Sequence, residues 1–174
     1  MEASHLVSPT EGNLDQVWDY SQECLDTGSP MDGCGPMRFH NPKEWLDHVI
    51  SYTDPATLPE GKVLATQFLA VRKSDGRLVG MIQVRHYFND YLEKYAGHIG
   101  YSVRPCERRK GYAKEMLRLV LAFCKGLGLG RVLVSCEVGN EGSRRTILSN
   151  GGVYESTVHE PEENIDLERY WITL

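Results

Sequence analysis

His98–Ala113 reads HIGYSVRPCERRKGYA, and this stretch decides the fold. Its first six residues, His98–Val103, carry the β-branched and aromatic side chains of a strand, and Pro105 ends it. From Gly111 onward the period changes. Ala113, Met116, Leu117, Val120, Cys124 and Leu127 fall on one stripe at helical spacing, which predicts a helix over Gly111–Leu127, stopped by Gly128 and Gly130. Arg131–Val138 (RVLVSCEV) then runs almost continuously apolar, as a strand covered on both faces does. Strand, helix and strand in that order make a crossover at the centre of a mixed α/β sheet.

The flanking sequence fills in the rest. Upstream, Thr66–Arg72 and Arg77–Arg85 are β-rich runs joined by Lys73-Ser74-Asp75-Gly76, and Asp-Gly is a strong hairpin signal. Downstream, Ser143–Ser149 reads as a short helix stopped by Asn150-Gly151-Gly152. Val153–Val158 and Glu168–Thr173 read as closing strands. The first sixty residues read as helices and loops. Gly12–Leu25 spaces Leu14, Val17, Trp18 and Leu25 helically, with Thr10 and Asn13 as caps. Asp26–Pro36 is a Gly- and Pro-rich loop. Asn41-Pro42-Lys43-Glu44 starts a second helix: Asn41 caps, Pro42 takes the first turn, and Glu44 closes a capping box. Trp45, Leu46, Val49 and Ile50 form its apolar face.

With 174 residues, one domain spanning 1–174 is expected, a helical region over 1–60 and a sheet core over 61–174. Apolar residues at 41% and charged residues at 25% are ordinary globular values. The net charge of −5 argues against general nucleic-acid binding, a local basic patch aside. The longest apolar run, Met116–Cys124, is interrupted by Arg118 and is too short to span a bilayer, and the N-terminus has no signal-peptide pattern. Five scattered cysteines without a CxxC pair point to free thiols in a reducing, cytoplasmic setting and to no metal site.

The segment joining the first strand to the helix carries the chemistry. Arg104, Arg108, Arg109 and Lys110 gather at a helix N-terminus, where the macrodipole favours anions. A solvated basic turn is one reading. The other is a phosphate cradle of free N–H groups, basic side chains and a glycine that lets the backbone approach closely. No Walker loop occurs. Gly126–Gly130 (GLGLG) follows a helix and precedes a strand, the reverse of a dinucleotide fingerprint.

Arg108-Arg109-Lys110-Gly111-Tyr112-Ala113 fits the pattern Q/R-x-x-G-x-G/A of the acyl-CoA pyrophosphate loop, and on these residues the chain resembles the GNAT superfamily of acetyl-CoA-dependent N-acyltransferases. The context agrees with it. HIGYSVRP stands where that family has its fourth strand and Leu129–Val138 its fifth. Asn140-Glu141-Gly142-Ser143, the short helix and Asn150-Gly151-Gly152 look like its asparagine segment. The ordered set also resembles a bacterial subgroup of predicted acetyltransferases. The likeness is strong over Gly97–Tyr154 and loose over the first sixty residues.

The resemblance implies a GNAT-like, mostly antiparallel sheet with helices on both faces, binding acetyl-CoA. The backbone of Arg109–Ala113 would hold the pyrophosphate, reinforced by the side chains of Arg108, Arg109 and Lys110. The backbone of Tyr101–Val103 would pair with the pantetheine arm. An amide near Ser102 or Val103 would face the thioester oxygen where this strand splays from the next. Asn140 and Ser143 would line the far side, Asn140 being equally suited to capping the short helix. The implied reaction is acetyl transfer to a primary amine by direct attack in a ternary complex. His98 is the first candidate base, since imidazole titrates near neutrality, and Glu137 on the next strand is the second; His98 could instead be a structural histidine. Arg85 and His86, at the end of the hairpin, could face the acceptor cleft. Many members carry a tyrosine acid where Ile147 stands here, so either Tyr101, Tyr112 or solvent donates the proton or the thiolate leaves unprotonated.

The acceptor could be a small-molecule amine, an amino acid, an antibiotic, or a peptide amine at an N-terminus or lysine. Acidic residues at Glu160–Glu163, at Asp166 and along Glu11–Asp26 would attract a cation if they rim the cleft, or else form a solvated face. Trp18, Trp45, Tyr170 and Trp171 read as core rather than as a cage. No membrane or nucleic-acid partner is expected, and a homodimer is compatible with the family. A non-catalytic acyl-CoA-binding or regulatory module is the alternative. A nucleic-acid-binding basic loop is a third reading.

Overall fold

The computed structural model describes residues 2–174. Its strands are β1 (Ser4–Val7), β2 (Ala65–Arg72), β3 (Leu78–Arg85), β4 (Ile99–Val103), β5 (Arg131–Glu137), β6 (Val153–Glu160) and β7 (Ile165–Thr173). Its α-helices are α1 (Leu14–Asp26), α2 (Pro42–Ser51), α3 (Tyr112–Gly126) and α4 (Glu141–Leu148). The local signals hold where they were strongest. Asn41 Oδ1 accepts the Glu44 N–H at 2.9 Å and Glu44 Oε2 accepts the Asn41 N–H at 3.3 Å, so α2 begins with the capping box. The β2–β3 hairpin turns through Asp75-Gly76, with Gly76 at φ 73°.

The mostly antiparallel α/β sheet with a strand–helix–strand crossover and helices on both faces is as expected, except that it is not hydrogen-bonded as one continuous sheet. It is two antiparallel sheets, ordered β1-β2-β3-β4 and β5-β7-β6. They meet at an isolated bridge, Gly97 to Val134, reinforced by the His98 N–H donating to the Leu133 carbonyl at 2.8 Å. The identity of a strand is local in sequence, but which edges hydrogen-bond is not. β1 was also unexpected. Its four residues are too few to show a period, and they form a strand by pairing with β2, Ser4 opposite Arg72.

Each face of the four-stranded sheet is covered. Met116, Leu117 and Val120 of α3 pack with Ile82, Val84, Val132, Val134 and Tyr170 on one side. Val17 and Tyr20 of α1 and Trp45, Leu46 and Val49 of α2 pack with Leu69, Leu78 and Met81 on the other. Each such fully buried side chain contributes ~1.5–3 kcal/mol. Ile50, expected on the apolar face of α2, is 53% exposed, and Trp18, expected in the core, is 48% exposed.

Strand alternation distributes the site residues between these faces. Met81, Gln83 and Arg85 point toward α1 and α2, as do Gly100 and Ser102, while Ile82, Val84, Ile99 and Tyr101 point toward α3.

Candidate active site

At the start of α3 the backbone adopts an unusual course. Arg109 has φ 62° and Gly111, the residue before the helix, has φ 91°. No side chain caps the helix, so its first N–H groups remain free as donors among the described residues. Glycine meets the left-handed conformation at Gly111 without a Cβ clash. A cavity of about 560 Å³ opens beside this turn, lined by Arg109, Lys110, Tyr112, Arg72 and Glu2. Ala113 is the second residue of α3, and Tyr112, the first, is buried.

The four cations are less exposed to one another than the sequence implies. Arg104 pairs with Glu23 of α1, Nε to Oε2, at 2.6 Å. Burial would raise the Glu23 carboxyl, but Arg104 and the Cys106 N–H and thiol overcome it and hold it at about 2. Lys110 Nζ sits 2.8 Å from Glu107 Oε2, and Arg72 Nη1 lies 3.0 Å from the same oxygen. Arg108 Nε donates to the Val103 carbonyl at 3.2 Å. Arg109 makes no ion pair among the described residues, so it is the least committed of the four.

β4 has one paired edge and one open edge. The Arg85 N–H donates to the His98 carbonyl at 2.7 Å and the Arg104 N–H to the Val79 carbonyl at 2.8 Å. Alternation along the antiparallel ladder therefore turns the backbone of Gly100 and Ser102 toward β3, and that of Ile99, Tyr101 and Val103 toward the gap facing β5. Among the described residues no ladder crosses that gap beyond the Gly97–Val134 bridge. Of the two amides named from sequence, Val103 presents its N–H to the gap and Ser102 does not.

The side chains near the gap divide by role. The Tyr101 hydroxyl lies 2.7 Å from Ser143 Oγ, and burial above all raises it well over the ordinary phenol range. Asn140 Oδ1 accepts the Ser143 N–H at 3.1 Å and caps α4. Ser102 Oγ lies 2.8 Å from the Tyr20 hydroxyl and 3.1 Å from Cys34 Sγ, and burial lifts that thiol to about 12, so it stays protonated. Ile147 is fully buried and points into the core.

His98 is 5% exposed. Its Nδ1 accepts the Leu133 N–H at 2.9 Å, which leaves the proton on Nε2, and its ring lies 4.0 Å from that of Phe88. Burial first, and Arg85 second, lower the imidazole to about 4. His98 thus ties the two sheets together as a neutral ring. Glu137 ends β5, is exposed, and points away from the core side taken by Val132, Val134 and Cys136. His86 turns to the α3 face, where Nε2 lies 2.8 Å from Thr66 Oγ1.

A residue that sequence reasoning passed over lies at the mouth of the gap. Asp32 belongs to the Asp26–Pro36 loop, and that loop is pinned to the sheet. Gln67 Nε2 donates to the Gly33 carbonyl at 2.8 Å and Trp45 Nε1 to the Cys34 carbonyl at 2.6 Å. Gly33 packs so closely on β4 that a Cβ there would lie 2.1 Å from the Gly100 carbonyl oxygen. Asp32 reaches solvent, yet the surrounding protein strips enough hydration to raise its carboxyl. Arg85 opposes that rise and Glu137 adds to it. Asp32 in turn acts on Tyr101, so its charge is felt on β3, β4 and β5. The only sequence signal was an aspartate followed by glycine in a Gly-rich loop.

Residues 37–153, two thirds of the chain, match the family model for the acetyltransferase (GNAT) domain. The chain belongs to the GNAT acetyltransferase family. It is an N-acetyltransferase that draws on acetyl-CoA. The ribosomal-protein-S5-alanine acetyltransferase of Vibrio fischeri superposes with a TM-score of 0.77 at 17% identity, over 99% of this chain and 94% of that one. A ribosomal L7/L12 alpha-N-protein acetyltransferase in complex with coenzyme A gives 0.72 at 16%, over 97% and 93%. A spermidine N-acetyltransferase chimera from Vibrio cholerae and hSSAT gives 0.67 at 14%, over 98% and 94%. At such identities these likenesses concern the fold. No curated protein matches the acetyltransferase in sequence. Among its described residues no helix is long and apolar enough to cross a membrane.

Proposed function

We propose that the protein, acting as one domain over residues 1–174, moves an acetyl group from acetyl-CoA to a primary amine by direct attack in a ternary complex. The observation that carries this reading is the open edge of β4, which runs from the gap at Tyr101 to the uncapped start of α3. Its donors suit an extended amide-bearing arm, and the turn beyond it suits a pyrophosphate.

The residues that would hold acetyl-CoA are Tyr101 and Val103 through their backbone, Arg108 through Ala113 through backbone and basic side chains, and Asn140 and Ser143 from α4. Ser102 supports the strand from below through Tyr20 and Cys34. Acetyl-CoA supplies the reactive carbonyl and a thiolate leaving group. The protein must place an N–H donor where negative charge develops, and the outward amide of Val103 is that donor. The Tyr101 hydroxyl keeps its proton and lines the α4 side through Ser143; as the C–S bond breaks, the departing sulfur takes, through solvent, the proton that the attacking nitrogen releases on becoming an amide.

A base must make the amine neutral. His98 meets this need poorly, because its Nδ1 is occupied and its ring is a weak base in place. We assign the role to Asp32, with Glu137 as the second carboxylate that raises it. His98 then acts as a positioning residue that sets how β4 and β5 part. The test is coenzyme A release, followed with a thiol reagent, from acetyl-CoA across a panel of primary amines. Turnover of one amine class supports transfer. Acetyl-CoA binding without turnover of any amine, peptides included, would refute it.

A further inference from the structure

A second cavity, about 410 Å³, lies on the α1/α2 face between α2, the end of β3 and the turn before β4. Arg85, Lys62, His48, Tyr52, Gln83 and Tyr91 line it, and none of its lining residues is acidic. Arg85 ends β3 and is half-buried, and Nη1 lies 3.3 Å from where a Cβ of Gly100 would stand, so the guanidinium touches the strand that borders the gap. Among the described residues this guanidinium makes no ion pair and no side-chain hydrogen bond. Asp32 is near enough for each to shift the other but does not pair with it. A half-buried cation without a partner is costly, and its planar fork suits a carboxylate. Lys62 is exposed and adds a second positive charge at the rim. Burial, then His40 and Lys62, push the His48 imidazole below its ordinary value.

We propose that the acceptor is an amine that carries its own carboxylate, an amino-acid-like molecule whose carboxylate is held by Arg85 in this cavity while its amino group faces Asp32 and the gap. The idea rests on the acetyl-transfer reading above. Asp32 and Arg85, close but unpaired, present opposite charges to the two ends of such a molecule. An uncharged or purely cationic amine would leave Arg85 unmatched.

The test compares the twenty α-amino acids, β-alanine and γ-aminobutyrate with their decarboxylated amines, in wild type, Arg85→Gln and Lys62→Gln. Titration with acetyl-CoA serves as the control for folding. The expected result is at least a tenfold higher kcat/KM for the carboxylated member of one pair. Arg85→Gln should remove that ratio mainly through KM, and Lys62→Gln should reduce it, with acetyl-CoA affinity retained in both. Equal turnover of both members, a preference for the decarboxylated amines or for peptides, or a ratio that survives Arg85→Gln would overturn the proposal and leave acetyl transfer standing. Acetyl-CoA binding with no turnover of any amine would overturn both.

Discussion

Replacing His98 separates a structural histidine from a catalytic one. In His98→Ala the Leu133 N–H, now bonded to Nδ1 at 2.9 Å, would be left buried without an acceptor, at a cost of ~1–3 kcal/mol. The ring contact with Phe88 at 4.0 Å would also go, worth ~0.5–1.5 kcal/mol. The sum is about 2–4 kcal/mol. At roughly 2–4 °C per kcal/mol for a chain of this size, the unfolding midpoint should fall by ~5–15 °C. His98→Asn can return an acceptor to the Leu133 N–H and should recover part of the loss. The sign of the pH effect follows from the lowered imidazole. Below about 6.5 the unfolded chain takes up a proton that the folded one refuses until about 4. Stability should therefore decline as pH falls through that window, and this decline should be absent in His98→Asn. Thermal unfolding by circular dichroism at pH 5 and 7.5, beside pH profiles of kcat/KM, reads both effects. A His98→Ala protein of unchanged midpoint that has lost the acid limb of its pH profile would refute the structural role and restore His98 as the base.

Two further outcomes follow from the loop at the mouth of the gap. Asp32→Asn should lower kcat by ~10²–10⁴, abolish the acid limb of kcat/KM, and leave acetyl-CoA affinity intact by calorimetry; an unaltered profile would remove Asp32 as base. Gly33→Ala brings a Cβ within 2.1 Å of the Gly100 carbonyl oxygen, at a backbone φ of 70°, so the loop must lift from β4. Its kcat should fall at least tenfold with little change in acetyl-CoA binding, and unimpaired turnover would show that the loop does not position the base.

What could be read from the chain was local. Asn41-Pro42-Lys43-Glu44 carries its cap in four residues, Ser74-Asp75-Gly76 carries its turn in three, and Arg108–Ala113 carries both the basic charge and the glycine of the turn. What could not be read depends on distant pairings. β1 exists because β2 offers it an edge. Glu23, 81 positions before Arg104, neutralises a charge that looked unopposed. The parting of β4 from β5 depends on which edges bond, a property that two apolar runs do not encode separately. Asp32 gains its place from Gln67 and Trp45, both outside its own loop. His98 looked like a base because its type fits one, and its Nδ1 partner is visible only in three dimensions.

Calorimetric titration of acetyl-CoA into the wild-type protein and Gly111→Asp tests the phosphate cradle most directly. Gly111→Ala controls for the strain of placing any Cβ at φ 91°, ~1–2 kcal/mol. The prediction is micromolar binding by the wild type, measurable binding by Gly111→Ala, and no detectable binding by a folded Gly111→Asp, whose carboxylate would stand where the proposed cradle would hold the pyrophosphate. No binding by the wild type, or equal affinity in Gly111→Asp, would contradict it.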